Sequence, residues 1–283
     1  MKDALYQLKS CEKVVIPFLF YTTEKERQMM SYILTDSLGN VVVIDGGQAF
    51  NSEYLLKTLQ EITGDQKPVI KAWFLTHAHS DHIEAFLRVV ESGQAVIEKL
   101  YYRFPTEQFI EANEPSASYT IRAFNEAFDR FADYAQVVET GDRIRIGKMD
   151  FEVLQVYDEQ ETKNAVNNAS TILRLSLNGK KILFLGDAGI EAGNRLLKRY
   201  GSDLKSDICQ MAHHGQGGVT REVYAAIAPS VCLWDTPDWL WDNDAGKGYN
   251  THVFLTVEVR RWMQELGVKE QYCTKDGTNI LYL

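Results

Sequence analysis

Positive charge is scarce in this sequence. Thirty lysines and arginines stand against 39 aspartates and glutamates, a formal net charge of −9 with a pI near 5.3. Proteins that grip long nucleic acids gain affinity by neutralising phosphates from a basic face, and no such surplus exists here, so extended nucleic acid is not an expected partner. Cysteine is also sparse. Cys11, Cys209, Cys232 and Cys273 are scattered without C-x-x-C spacing, which excludes a disulfide frame and a cysteine-based zinc knuckle and fits reduced thiols. No run is long and apolar enough to span a bilayer, and the first ten residues lack the apolar centre of a signal peptide. The expectation is a cytoplasmic protein with no membrane partner. No repeat of fixed period is visible. The 283 residues would fill one large domain or two ordinary ones, and the expected arrangement is a single domain over 1–283.

Histidine is present in a pattern. All six histidines fall in three places: His77, His79 and His82; His213 and His214; and His252. The first group closes the stretch Trp73-Phe-Leu-Thr-His-Ala-His-Ser-Asp-His82. Two histidines spaced i and i+2 as the chain leaves a strand can point the same way and share one cation. Asp81 and His82 can hold a second. Imidazole nitrogen and carboxylate oxygen suit zinc first, with manganese or iron as alternatives.

Around these groups the chain reads as alternating strands and helices. Strands are expected at 14–20, 29–35 and 41–45, the last ending in Asp45-Gly46-Gly47. A helix over 53–63, capped by Asn51 or Ser52 and stopped by Gly64, leads to a strand at 70–75, which delivers the histidine loop. A second amphipathic helix follows over 83–90, then a strand over 97–104 and an aromatic helical segment over 106–134. Further strands are expected near 137, at 143–146 and at 151–156. Asn178-Gly179 between two β-rich runs predicts a hairpin that brings Asp187 to a strand end. A short strand at 207–210 precedes His213 and His214. After it come a helix at 222–227, a strand at 230–234, an aromatic loop over 234–250, a helix at 255–266 and a last hairpin turning at Asp276-Gly277.

The order His-x-His-x-Asp-His at 77–82, followed by Asn-x-Ser at 168–170, Gly-Asp at 186–187, His-His-Gly at 213–215 and Asn-x-His at 250–252, resembles the metallo-β-lactamase superfamily. Within it, the pattern is similar to the branch holding the nuclease-like domains of competence proteins and the phosphorylcholine esterases. The resemblance implies an α/β fold, a four-layer αββα sandwich of two mixed β-sheets flanked by helices, with one or two divalent metal ions at one edge. It also implies that Asp45 supports the histidine loop and that Asp187 bridges two ions. The expected ligands are His77, His79 and Asp187 for the first ion, and Asp81, His82, Asp187 and one of His213 and His214, here His213, for the second.

On this reading His214 and His252 contact substrate or move protons, and Asp81 counts with them in the catalytic set. Asn168, Ser170 and Trp241 are the expected substrate contacts. One departure matters: no histidine lies between His82 and His213, where glyoxalase II and the lactamases supply a third histidine to the first ion. The open first site would accept an anionic phosphate oxygen. The expected activity is therefore a metal-dependent hydrolase using a metal-bound hydroxide on a small or moderately sized phosphodiester, with a choline-like head group as one substrate suggested by the aromatic loop. The alternatives are a thioester, lactone or lactam hydrolase and a non-catalytic metal-binding module.

Overall fold

The computed structural model describes the backbone of residues 1–11, 13–17 and 22–283, and the side chains of 1–11 and 26–283. The strands are β1 (Ala4–Gln7), β2 (Lys13–Pro17), β3 (Thr22–Glu26), β4 (Ser31–Thr35), β5 (Val41–Asp45), β6 (Val69–Ile70), β7 (Ala72–Leu75), β8 (Val96–Ile97) and β9 (Leu100–Tyr102) in the first part of the chain. They continue with β10 (Ala135–Val137), β11 (Arg143–Ile146), β12 (Met149–Gln155), β13 (Ile172–Leu177), β14 (Lys180–Phe184), β15 (Ile208–Gln210), β16 (Val231–Trp234), β17 (Glu270–Cys273) and β18 (Asn279–Tyr282). The helices are α1 (Ser52–Thr63), α2 (Ser80–Ser92), α3 (Glu107–Asn113), α4 (Ser118–Ala127), α5 (Ile190–Tyr200), α6 (Arg221–Ile227), α7 (Asp238–Trp241) and α8 (Thr256–Glu265).

Two seven-stranded sheets result, ordered β10-β9-β7-β5-β4-β1-β18 and β11-β12-β13-β14-β15-β16-β17. The period-2 alternation of the strands decides what lies between them. Tyr32, Leu34, Val42, Ile44 and Phe74 of the first sheet meet Phe151, Val153, Leu173, Leu175 and Phe184 of the second in one core. The intervening residues Ile33, Val43 and Trp73 face outward onto α1, α2 and α4 through Leu55, Leu59, Phe86, Val89 and Phe124. On the other side Leu183, Cys209 and Trp234 face Leu196, Val223, Ile227, Val259 and Met263 of α5, α6 and α8. The layers are therefore helix, sheet, sheet, helix. No helix among the described residues is long and apolar enough to cross a membrane.

Local chemistry accounts for several boundaries. Gly64 and Gly93 close α1 and α2 in the left-handed conformation, as glycine does at helix ends. Asn178 and Gly179 both have positive φ, and Leu177 pairs with Lys180, so the expected hairpin forms. The long helix expected over 106–134 is broken at Glu114-Pro115, since a residue before proline is driven out of the helical region. The strand expected at 97–104 is divided into β8 and β9, and β1 was not expected at all. Of the strand expected at 14–20, residues 18–20 lie outside the described residues.

The last hairpin does not form. Instead β17 lies parallel to β16 in the second sheet, while β18 crosses to pair antiparallel with β1 in the first. The crossing is favoured because Cys273 packs in the outer core beside Trp234, Leu281 is drawn into the core between the sheets and Asn279 Nδ2 donates to Gln7 Oε1 at 3.0 Å.

At the end of the sandwich away from the carboxyl terminus of β5, Asp36 joins the sheets. Its carboxylate accepts from Leu38 N, Asn40 N, Asn40 Nδ2 and Lys148 N at 2.9–3.1 Å. Burial works to raise its pKa, and these hydrogen bonds overcome that and hold it below the ordinary value. Asp36→Ala leaves these donors without their acceptor and is expected to lower stability by about 2–4 kcal/mol in urea unfolding at neutral pH. Because the folded-state pKa is depressed, this stabilisation is complete above the unfolded carboxylate value of about 3.9 and is lost as pH falls through the lower folded value. The gap between wild type and variant should therefore close in acid.

Candidate metal centre

The parallel strands of both sheets deliver their carboxyl ends to one place, where loops in α/β sheets carry function. Asp45 ends β5, the segment from Thr76 to His82 follows β7, Asp187 follows β14, His213 and His214 follow β15, and Asp235 follows β16. Asp45 is fully buried and has a φ of 54°. Its carboxylate accepts from Thr76 N at 2.8 Å and Thr76 Oγ1 at 2.7 Å, and lies 2.7 Å from His82 Nδ1. This turns His82 Nε2 inward, to 3.3 Å from Asp187 Oδ1. His77 is held through Nδ1, 3.1 Å from Thr76 Oγ1 and 3.4 Å from Ser170 Oγ. Its Nε2 lies 3.1 Å from His79 Nδ1 and 3.8 Å from Asp187 Oδ2.

His214, not His213, completes the buried cluster. Its Nδ1 contacts the carbonyl of Asp235 at 3.0 Å, and its Nε2 lies 3.2 Å from Asp81 Oδ2 and 3.4 Å from Asp187 Oδ2. His213 is 24% exposed, 4.0 Å from Asp187 Oδ2 and 3.4 Å from Asn167 Nδ2. The expected ligand of this pair was His213; by these distances His214 lies closer to Asp187. The cause is backbone conformation. His213, His214 and Gly215 have φ values of 52°, 52° and 76°, so the two rings diverge from a left-handed turn. A Cβ at Gly215 would come within 2.4 Å of the Trp234 ring, which leaves only glycine there.

The donor set fits divalent cations. Two groups, His77, His82 and Asp187, and Asp81, His82 and His214, each bring their ligand atoms within 4.8 Å of one another. His82 Nε2, His214 Nε2 and Asp187 Oδ1 are buried, and apart from the close approaches of imidazole to carboxylate they make no hydrogen bond of good geometry, an arrangement that is costly unless something else satisfies them. The electrostatics favour positive charge at this place. Burial opposes protonation of His82 and His214, yet Asp187 with Asp45 drives His82 well above its ordinary pKa, and Asp187 with Asp81 drives His214 up to about 10. Asp187, which burial would raise, is held well below its usual value by His214 and His82. His77 is pushed well down by burial and by His82 beside it, which suits a neutral ligand.

The other expected site residues make the following contacts. Asn168 Oδ1 accepts from Gly189 N and Ala192 N, capping the start of α5. Ser170 Oγ accepts from Asp187 N at 3.0 Å, so it braces the ligand loops. Trp241 packs edge-on against Trp234 with the Arg260 guanidinium 4.0 Å from its ring, a contact between α7 and α8. The His252 ring lies against Phe254 and Trp239, and no contact among the described residues joins it to the cluster. Two neighbours had no sequence signal. Gln28 Nε2 donates to Asp81 Oδ2 at 3.4 Å, and Glu114 Oε1 lies 3.0 Å from His79 Nε2.

The profile described as Beta-lactamase superfamily domain matches residues 40–213, more than half of the chain. The chain belongs to the metallo-β-lactamase superfamily. Among curated relatives, ComE operon protein 3 of Bacillus subtilis (strain 168) is 26% identical over 158 residues, which is 55% of this chain and 18% of that protein. The match thus spans less than a fifth of that relative. Solved structures repeat the superfamily fold at low identity. Yeast PDE1 superposes with a TM-score of 0.58 at 11% identity over all of both chains. Zinc-bound PqqB from Methylobacterium extorquens gives 0.56 at 12% identity, covering 99% of this chain and 100% of its own. The matched span holds the histidine loop, Asp187 and His213, and stops one residue short of His214.

Proposed function

We propose that this protein is a two-ion metal-dependent hydrolase acting on a small phosphodiester. One observation carries the reading: four imidazoles, those of His77, His82, His213 and His214, lie within 4.0 Å of the single buried carboxylate of Asp187. His77, His79 and Asp187 would hold the first ion, and Asp81, His82, His214 and Asp187 the second. Zinc suits these nitrogen and carboxylate donors. Bound there, the ions would supply an acidified water and positive charge opposite the anion that develops during hydrolysis.

The chain's own residues do the rest. Asp45 and Asp235 fix the orientation of His82 and His214, Thr76 and Ser170 that of His77. His213, beside Asn167 at the less buried side of the cluster, would meet the substrate and pass a proton to the leaving oxygen. With only two histidines and Asp187 to hold it, a first ion would leave room for a phosphate oxygen, which favours a phosphodiester over a lactam or lactone. The net charge of −9 speaks for a small substrate and against extended nucleic acid.

The test is elemental analysis of protein purified without chelator, paired with hydrolysis of bis(p-nitrophenyl) phosphate and of a lactone under added zinc or manganese. Between one and two equivalents of metal, with diester cleavage exceeding lactone cleavage, is the expected result. Faster lactone turnover would replace the substrate class. Protein that takes up neither ion would remove the hydrolase reading altogether.

A further inference from the structure

The helical segment between β9 and β10 touches the centre through one side chain. Glu114 closes α3 with φ −150° and ψ 66°, outside the helical region, as the following Pro115 requires. Its carboxylate meets two other segments of the chain. Oε1 lies 3.0 Å from His79 Nε2, and Oε2 accepts from Val166 N at 3.0 Å. Val166 immediately precedes the turn Asn167–Ala169, which sets Asn167 beside His213. A single carboxylate thus links α3, the histidine loop and the loop that leads into β13.

The other histidines of the cluster show what such a contact does. His82 has Asp45 at Nδ1, His214 has the Asp235 carbonyl at Nδ1, and each presents Nε2 inward. His79 is turned the other way round, with Nδ1 facing His77 and Nε2 facing Glu114. At 21% exposure it is also less enclosed than His77 or His82, which are fully buried. Packing therefore constrains its ring less, and a hydrogen-bonding partner has more to decide.

We propose that Glu114 is a positioning residue for the centre. It accepts the Nε2–H of His79, fixes the tautomer that leaves Nδ1 bare toward His77, and so makes α3 part of the frame of the first ion. The role as stated rests on the two-ion reading above, whereas the tautomer belongs to the protein alone. Outer partners of this kind typically change metal affinity about 10- to 100-fold when removed.

The experiment has two readouts on full-length protein. The first is the tautomer of His79, from ring ¹⁵N shifts of the metal-free protein at a pH where the ring is neutral, assigned with His79→Gln. The second is zinc affinity by competition with a chromophoric chelator. Wild type is expected to show only the Nε2–H form. Glu114→Ala should show a tautomer mixture and weaken one of two zinc equivalents by about 10- to 100-fold while sparing the other. Glu114→Gln keeps a carbonyl acceptor and the side-chain volume, and should recover much of both. The proposal is overturned if Glu114→Ala retains a single Nε2–H tautomer, or if both equivalents weaken together. Should Glu114→Ala not fold, Glu114→Asp, whose shorter arm withdraws the acceptor, takes its place. If wild type binds no zinc, the hydrolase reading falls, and the tautomer comparison still decides the role of Glu114.

Discussion

Asp187→Ala is expected to lose both metal equivalents and to lower turnover roughly 10³-fold or more, beyond the roughly 10- to 100-fold that removing an outer partner of a metal ligand costs. The carboxylate uses both oxygens. Oδ1 faces His82 Nε2 at 3.3 Å, while Oδ2 faces His214 at 3.4 Å, His77 at 3.8 Å and His213 at 4.0 Å. Without it, the imidazoles of both candidate ion places lose their shared anion. The fold should survive, because Ser170 bonds the backbone N of residue 187, not its side chain, and the apolar cores do not include it. Elemental analysis and diester turnover measure the loss, with circular dichroism and urea unfolding to verify the fold. Retention of wild-type turnover and metal by the folded variant would sink the bridging role.

The second large effect separates two adjacent side chains. His214→Ala should remove about one metal equivalent and reduce turnover roughly 10²- to 10³-fold, the scale on which single groups that stabilise transition-state charge act. Fully buried, His214 is the nearest imidazole to Asp81, so its loss leaves Asp81 and Asp187 poorly compensated inside the protein. His213→Ala should keep its metal and lose turnover by a smaller factor, since His213 is partly exposed and lies farther from Asp187. If the variants behave the other way round, with His213→Ala stripping the metal, the ligand role belongs to His213 after all.

Much of the architecture was legible because local rules and burial agreed. Alternation in 41–45 separates Val42 and Ile44 from Val43, and these residues do face different cores. Asn178-Gly179 demanded a tight turn and forms one. The histidine loop announced itself because six positions hold four potential ligands after a buried strand. What stayed hidden depended on partners remote in sequence. Nothing near 272–283 reveals that β1, at the other end of the chain, pairs with β18 in place of β17. The choice between His213 and His214 turns on two successive left-handed residues, and although histidine enters that region more often than most side chains, nothing in the sequence marks both of these as doing so. Asn168, Ser170 and Trp241 are polar or aromatic residues near the motifs, and the partners they meet, the start of α5, the backbone of Asp187 and Arg260 of α8, are not adjacent to them in sequence. Glu114 sits 35 residues from the histidine it meets. Its neighbouring proline marks a break in the helix but not the direction in which the side chain leaves.

The left-handed turn at residues 213–215 has an outcome for the protein's survival. For side chains larger than glycine this conformation is unfavourable by about 1–2 kcal/mol per residue, and two histidines occupy it in succession. A lineage selected only to resist heat or proteolysis would drift to glycine or asparagine at both positions. Keeping histidine leaves the empty protein weaker than its fold allows. On the two-ion reading, ligation repairs that deficit, since a ligand at 100 times its Kd adds about 2.7 kcal/mol. The lifetime of the polypeptide would then follow the supply of metal, and starvation for the ion would thin the population of molecules before it slowed any one of them.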